Sequence, residues 1–382
     1  MLKVKKLSIY LIFILVIIMS FISIYVGHFL LQKPKNVPES EKNGIESSGT
    51  LQNKPFPINY RHLSEVINGN RQEIHILEVS LSDERVKIKP VLSHDTVFGF
   101  ESLSAMYVRS NAYAAVNAGF FSKYGEPGGM VAIDGRILTN STGKYPVLLI
   151  SNNRAELKEL KTTLWIECKS SKLGVNNINA PESAGSVVLY TPEYGSNSRV
   201  KGESISAIIK NNVVTAIDES HGAVDIPQDG MLLAFFKPYR YSLSNIPLDI
   251  GDSVEFGCEP ALGVNVQAYE CGSWIVKDGQ IVIGERDEWV GIMTNHDPRT
   301  AVGLKDDGTV VLLVVDGRQP DYSVGFTGRE LGEFLIGMGV RNAAMLDGGA
   351  SSEMMVNGKI VNTPSFKGQE RPLGGAIIVN CK

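Results

Sequence analysis

Apolar and polar positions fall into three regimes along the chain. Leu7 to Leu31 runs without Asp, Glu, Lys or Arg, and Leu, Ile, Val and Phe recur throughout it. Such a run is long enough to cross a hydrocarbon layer of about 30 Å. Gln32 to Phe56 then holds mostly Lys, Pro, Glu, Ser, Asn and Gly, with too little apolar surface to build a core. Beyond it, two-residue alternation takes over. Glu73 to Leu81 predicts a half-exposed strand and Val86 to Val91 another, with a short helix over Glu101 to Val108. Unbroken apolar runs at Ala112 to Val116, Thr309 to Val315 and Asn342 to Leu346 predict buried strands. Asp134-Gly135, Asn211-Asn212, Asp278-Gly279, Asp307-Gly308 and Asn357-Gly358 each separate apolar runs, the signal for tight hairpins.

Between the last two buried runs the period changes. Thr327 and Glu330 have capping-box spacing, and Leu331, Phe334, Leu335 and Met338 follow on one helical face. Strand, helix, strand predicts a right-handed crossover and parallel strands, so Asp316 and Asp347 would leave the same sheet edge. Asp347 is followed by Gly348, Gly349, Ala350, Ser351 and Ser352, a stretch able to turn N–H groups and hydroxyls toward an anion. Arg299 brings a planar, permanently charged fork suited to phosphate. Asn117 follows a buried run in the same way. One Asp-Gly alone is an ordinary turn; two joined by one crossover point to a site that breaks a bond beside a negatively charged oxygen. These elements predict an α+β domain, a mixed β-sheet core with helical crossovers and many β-hairpins, preceded by one transmembrane helix.

Composition and charge narrow the picture. Three lysines in residues 1–6 precede the apolar run, which favours a cytoplasmic tail at 1–6, a signal anchor at 7–31, a linker at 32–57 and an outward-facing domain at 58–382 on a single-pass membrane protein. The net charge of −4 points away from nucleic acid. Cys168, Cys258, Cys271 and Cys381 form no CxxC pair, which argues against zinc and leaves free thiols and one disulfide both open. No ligand spacing demands a metal, although acidic strand ends accommodate a divalent cation. Glu126 in a glycine-rich loop is a weaker candidate, His221 reads as a surface turn residue, and Trp274 and Trp289 are either core aromatics or sugar-stacking rings.

Taken together, the motifs HDPRTAVGL, VVDGRQ, GFTGRELGEFL, NAAMLDGGASS and, upstream, AVNAGFF resemble the phosphodiester glycosidase family from about residue 70 onward. The resemblance implies hydrolysis of the sugar–phosphate glycosidic bond of a sugar-1-phosphodiester, in cell-surface or exopolysaccharide metabolism, with a sugar-phosphate or polysaccharide partner. It places Asp316 and Asp347 in the chemistry. It gives Asn117, Arg299, Thr300, Gly348, Gly349, Ser351 and Ser352 to substrate and phosphate. The alternatives are a wall-polysaccharide binding or assembly protein on the same fold, and a phosphodiesterase cutting the phosphate side. Two departures stand out. Ala350 replaces the third glycine of the family's DGGGSS, a strained choice if that position needs positive φ. Cys271-Gly272 stands where the family often has a glycine pair.

Overall fold

The computed structural model describes residues 55–238 and 246–382. Pro55–Lys382 forms one compact unit. The apolar run Leu7–Leu31, with the tail before it and nearly all of the linker after it, lies outside the described residues. Among the described residues, no helix is long and apolar enough to cross a membrane.

The unit is built mostly of β-strands, which overturns the α+β expectation. Its α-helices, among the described residues, are Leu103–Arg109 and Gly328–Gly337. The physical reason lies in the turns. Asp134-Gly135, Asn211-Asn212, Asp278-Gly279 and Asn357-Gly358 have positive φ at both residues, the backbone of a tight hairpin. At Asp307-Gly308 only the glycine is left-handed. Hairpins bring sequence neighbours together antiparallel, and among the described residues the paired strands are antiparallel except Asn177–Ile178 with Val187–Tyr190.

The sheet that carries the site has seven strands, ordered Ile58–Ile67, Asn70–Ser80, Thr309–Val315, Arg299–Lys305, Val340–Met345, Trp274–Lys277 and Gln280–Ile281. Thr309–Val315 and Val340–Met345 do not pair with each other. Arg299–Lys305 lies between them and is antiparallel to both, because its hairpin to Thr309–Val315 forms first in sequence. The two outer strands of this trio therefore run the same way. Asp316 and Asp347 follow their carboxyl ends, and Arg299 opens the middle strand at the same edge.

The two faces of this sheet differ. On one, Ala301, Leu313, Val315 and Met345 pack with Leu331 and Leu335 of the helix Gly328–Gly337, whose capping box of Thr327 and Glu330 is fully formed. On the other, Val302, Val314, Ala344 and Leu346 pack with Val116, Met354 and Ile377 of a five-stranded antiparallel sheet. That second sheet orders Lys359–Ile360, Met354–Val356, Ala114–Asn117, Gly375–Cys381 and Val86–Leu92. It brings Asn117 to the edge where Asp347 emerges.

Candidate active site

The site forms where these two sheets meet, and Asn117 is its joint. Its Nδ2 donates to the carbonyl of Asp347 at 2.6 Å and to that of Ala118 at 3.1 Å. Its Oδ1 accepts from the Thr300 hydroxyl at 2.9 Å and from the Glu353 N–H at 3.2 Å. Thr300 Oγ1 is also 3.1 Å from Ser352 Oγ. Asn117, Thr300 and Ser352 are thus buried and clamp the second Asp-Gly loop to both sheets.

Asp316 is 1% exposed and held from several sides. Asn362 Nδ2 donates to Oδ1 and the Thr363 N–H to Oδ2, each at 2.8 Å. His75 Nε2, itself buried and without a hydrogen-bond partner, stands 3.5 Å from Oδ2. On its other nitrogen His75 meets the Tyr60 hydroxyl at 2.9 Å.

Asp347 differs. Its carboxyl is half-buried, and burial pushes its pKa up to about 6, against the pull of the Ser351 hydroxyl, Arg371 and the Gly348 N–H. Arg371 Nη1 donates to Ser351 Oγ at 2.9 Å, so Asp347 and Arg371 share one serine. The Arg371 guanidinium also lies 5.3 Å from the centre of the Phe121 ring.

The loop after Asp347 is less open to an anion than its glycines promised. Gly349–Ser351 forms a single 3-10 turn. The N–H groups of Gly349, Ser351 and Ser352 donate to the carbonyls of Pro298, Gly348 and Gly349. Gly349 takes the left-handed conformation, φ 61°, whereas Ala350 is not among the positive-φ residues. The alanine is therefore unstrained. Gly348 and Gly349 are needed for close approach: a Cβ on Gly348 would come 3.0 Å from the Pro298 carbonyl, and one on Gly349 3.1 Å from Arg318 Nη2.

Arg299 turns away from this cluster. It is fully buried on the helix face, where Nε donates to the Phe326 carbonyl and Nη2 to the Asn295 carbonyl, both at 2.8 Å. Its Nη1 lies 3.8 Å from Met293 Sδ, and burial pulls its pKa down. The fork expected to hold phosphate holds backbone instead. The cations beside the Asp347 loop are Arg371 and Arg318. Arg318 is half-exposed, with Nε donating to Asp297 at 2.8 Å.

Sequence reasoning missed Arg318, although it directly follows Asp316-Gly317 in a quoted motif, and Arg371, which no motif marked. It also missed Glu353, next after Ser352. That carboxyl is fully buried, accepts the Arg371 N–H, leaves Oε2 without a partner, and is pushed up to about 8 by burial. Glu126 accepts from the Ser122 hydroxyl at 2.6 Å. His221 is an exposed strand-end residue 3.3 Å from Glu203. The four cysteines are free thiols. Among the described residues, no group of three or more His, Cys, Asp or Glu is arranged to hold a metal ion.

A raised-pKa carboxyl, a second buried carboxylate and two arginines thus gather at one sheet junction of a β-rich domain. Comparison with known proteins gives a family likeness: residues 198–380 match the family model for phosphodiester glycosidase. Asn117 lies before the matched stretch, and the fold supplies it. The SPbeta prophage-derived uncharacterized protein YomE of Bacillus subtilis is 34% identical over 113 residues, 30% of this chain and 17% of that protein. The bovine (Bos taurus) N-acetylglucosamine-1-phosphodiester alpha-N-acetylglucosaminidase is 32% identical over 106 residues, 24% of this chain and 19% of that enzyme. The chain therefore spans less than a fifth of the length of either relative. A solved structure of a hypothetical protein from Synechocystis shares the fold, with a TM-score of 0.71 at 18% identity, covering 85% of this chain and 62% of that one.

Proposed function

We propose that the domain hydrolyses the bond between the anomeric carbon and a phosphate oxygen in sugar-1-phosphodiesters. The observation that carries this reading is the Asp347–Ser351–Arg371 constellation, a carboxyl poised near neutrality that shares a serine with a cation. A phosphate monoester leaves readily, so the site chiefly needs to hold the phosphate and to stabilise an oxocarbenium-like transition state. Arg371 and Arg318 take the phosphate oxygens. Asp347, with a pKa of about 6, is largely ionised at neutral pH and removes a proton from the attacking water. The water oxygen bonds to C1, the C1–O bond breaks, and its electron pair leaves on the phosphate. Asp316, held by Asn362 and Thr363, supplies negative charge toward the ring. Two arginines provide the positive charge, so the scheme routes no step through a metal, and activity should survive dialysis against a chelator.

The apolar run Leu7–Leu31 behind three lysines supports a cellular place on the outer side of a membrane, and the family resemblance supports a part in polysaccharide metabolism. Protease accessibility of the domain in intact cells checks this. The activity is tested by incubating the purified chain with sugar-1-phosphodiesters and analysing products. Free sugar plus phosphomonoester is the expected outcome. Sugar-1-phosphate would instead show scission on the phosphate side, and binding without products would show a recognition module.

A further inference from the structure

We infer that Trp289 is a sugar-stacking platform, taking the apolar face of a pyranose ring next to the Asp347 loop. This deepens the reading above and rests on it for the ligand class. Three tryptophans are present, and two have a lysine ammonium over the ring: Lys172 is 3.8 Å from the Trp165 ring centre and Lys277 4.9 Å from that of Trp274. Trp274 also donates its indole N–H to Glu159. Trp289 is 42% exposed.

An exposed indole is ordinary when its loop is loose. This one is fixed from three directions. Its ring stacks on Phe120, centroids 5.5 Å apart and planes 12° from parallel. Buried Asp287 accepts the N–H groups of Trp289 and Val290, each at 2.7 Å, and also bonds the Ser273 hydroxyl. Gly128 lies against the ring edge, where a Cβ would come 2.8 Å from Cζ2 and Cη2. Phe120 in turn depends on Gly272, whose Cβ would be 2.5 Å from its ring. The sequence places two glycines and a buried carboxylate around an aromatic pair in which Phe120 is buried and Trp289 half-exposed. Rigid, partly exposed aromatic surface of this kind suits a ligand with one apolar face.

The platform stands close to the proposed chemistry. The Asp347 N–H donates to the Ala118 carbonyl at 3.1 Å. Phe120 is two residues beyond Ala118, so their Cα atoms are within about 8 Å, given about 3.8 Å per step. A sugar whose C1 faces Asp347 has its ring, or the next ring of a polymer, within reach of Phe120 and Trp289.

The test uses the full chain and the methyl diester of N-acetylglucosamine 1-phosphate. Trp289→Ala should raise KM about tenfold, the scale of one aromatic stacking contact, with kcat within about twofold. Trp289→Phe should recover most of the loss. Gly128→Ala, which pushes the indole aside without removing it, should raise KM in the same direction and serves if Trp289→Ala does not fold. An unchanged KM in Trp289→Ala, while the parent chain hydrolyses the diester, overturns the platform alone. If the parent chain does not turn over, the functional reading falls. Tryptophan fluorescence titrated with N-acetylglucosamine 1-phosphate then decides: a change lost in Trp289→Phe supports the platform, and a change retained or absent overturns it.

Discussion

The two faces of the seven-stranded sheet, compared at one edge, show how a single residue step separates structure from chemistry. Arg299 and Thr300 are neighbours in one strand, and side chains alternate across a strand with period two. Arg299 faces the helix, where its guanidinium is taken up by the carbonyls of Phe326 and Asn295. Thr300 faces the second sheet, where it joins Asn117 and Ser352 under the Asp347 loop. The positive charge of the first face is sealed in. The site draws its cations instead from loops, Arg318 after the strand Thr309–Val315 and Arg371 from the segment before Gly375–Cys381. A residue type suited to phosphate is therefore no guide until its face is known.

The sharpest test of the chemical face is Asp347→Asn. Amide and carboxylate have nearly the same size, so a residue that only shapes a turn would tolerate the change in both activity and stability. A positioned acid–base group contributes about 10²–10⁴-fold, and a loss of that order in kcat is expected. Stability should move the other way. A carboxyl whose folded pKa is raised favours the folded state fully below its unfolded value, near 4, and that contribution is lost as pH rises through about 6. Above pH 6, then, Asp347→Asn should melt at or above the parent temperature, and near pH 4 the gap should close. Thermal melts at both pH values, with kcat alongside, check the pair. An active variant would move the chemistry to Asp316.

The two arginine environments predict opposite outcomes for substitutions that sequence alone would rank together. Arg371→Lys keeps charge but loses the forked geometry, and should lower kcat/KM by about 10² while the melting temperature holds. Arg299→Met should do the reverse. It leaves the Phe326 and Asn295 carbonyls buried without donors, at a cost of about 1–3 kcal/mol each. Its melting temperature should fall, while the folded fraction keeps near-parental kcat/KM. Loss of turnover in a well-folded Arg299 variant would break the comparison.

Much of the site was legible, and the misses have one origin. Asp316, Asp347 and Asn117 were marked by buried runs ending in turn residues, a local signal. The capping box of Thr327 and Glu330 was local too. What depended on long-range pairing was not visible. Nothing in the sequence says that Arg299–Lys305 inserts between Thr309–Val315 and Val340–Met345, and that insertion fixes which way Arg299 points. Recurrent tight turns make hairpins legible one by one, yet the strand–helix–strand pattern around Gly328–Gly337 points to an α+β class, and the described residues are dominated by antiparallel sheets. Arg371 reaches the site through a loop without periodicity, which carries no sequence signal of its own, and Glu353 stands one residue past the glycine–serine motif.

The smallest expected effect concerns the loop that the Asp347 cluster rests on, where two adjacent positions should behave differently. Gly349 has φ 61° and lies against the Arg318 guanidinium, whose nitrogens would be 3.1 and 3.2 Å from an added Cβ. Gly349→Ala should cost about 1 kcal/mol for the left-handed backbone and shift Arg318 by a few tenths of an ångström. The expected result is a fall of severalfold in kcat/KM, seen mainly in KM, because Arg318 is assigned to the phosphate. Ala350 is already accommodated in the 3-10 turn. Ala350→Gly, which restores the three-glycine pattern, adds only backbone entropy to the unfolded chain, so stability should drop by about 0.5–1 kcal/mol with activity within about twofold. Side-by-side kinetics and melts of the two variants separate the cases. A large gain in turnover from Ala350→Gly would mean that the alanine holds the loop in an unproductive shape, and would favour a chain that binds its glycan more than it cleaves it.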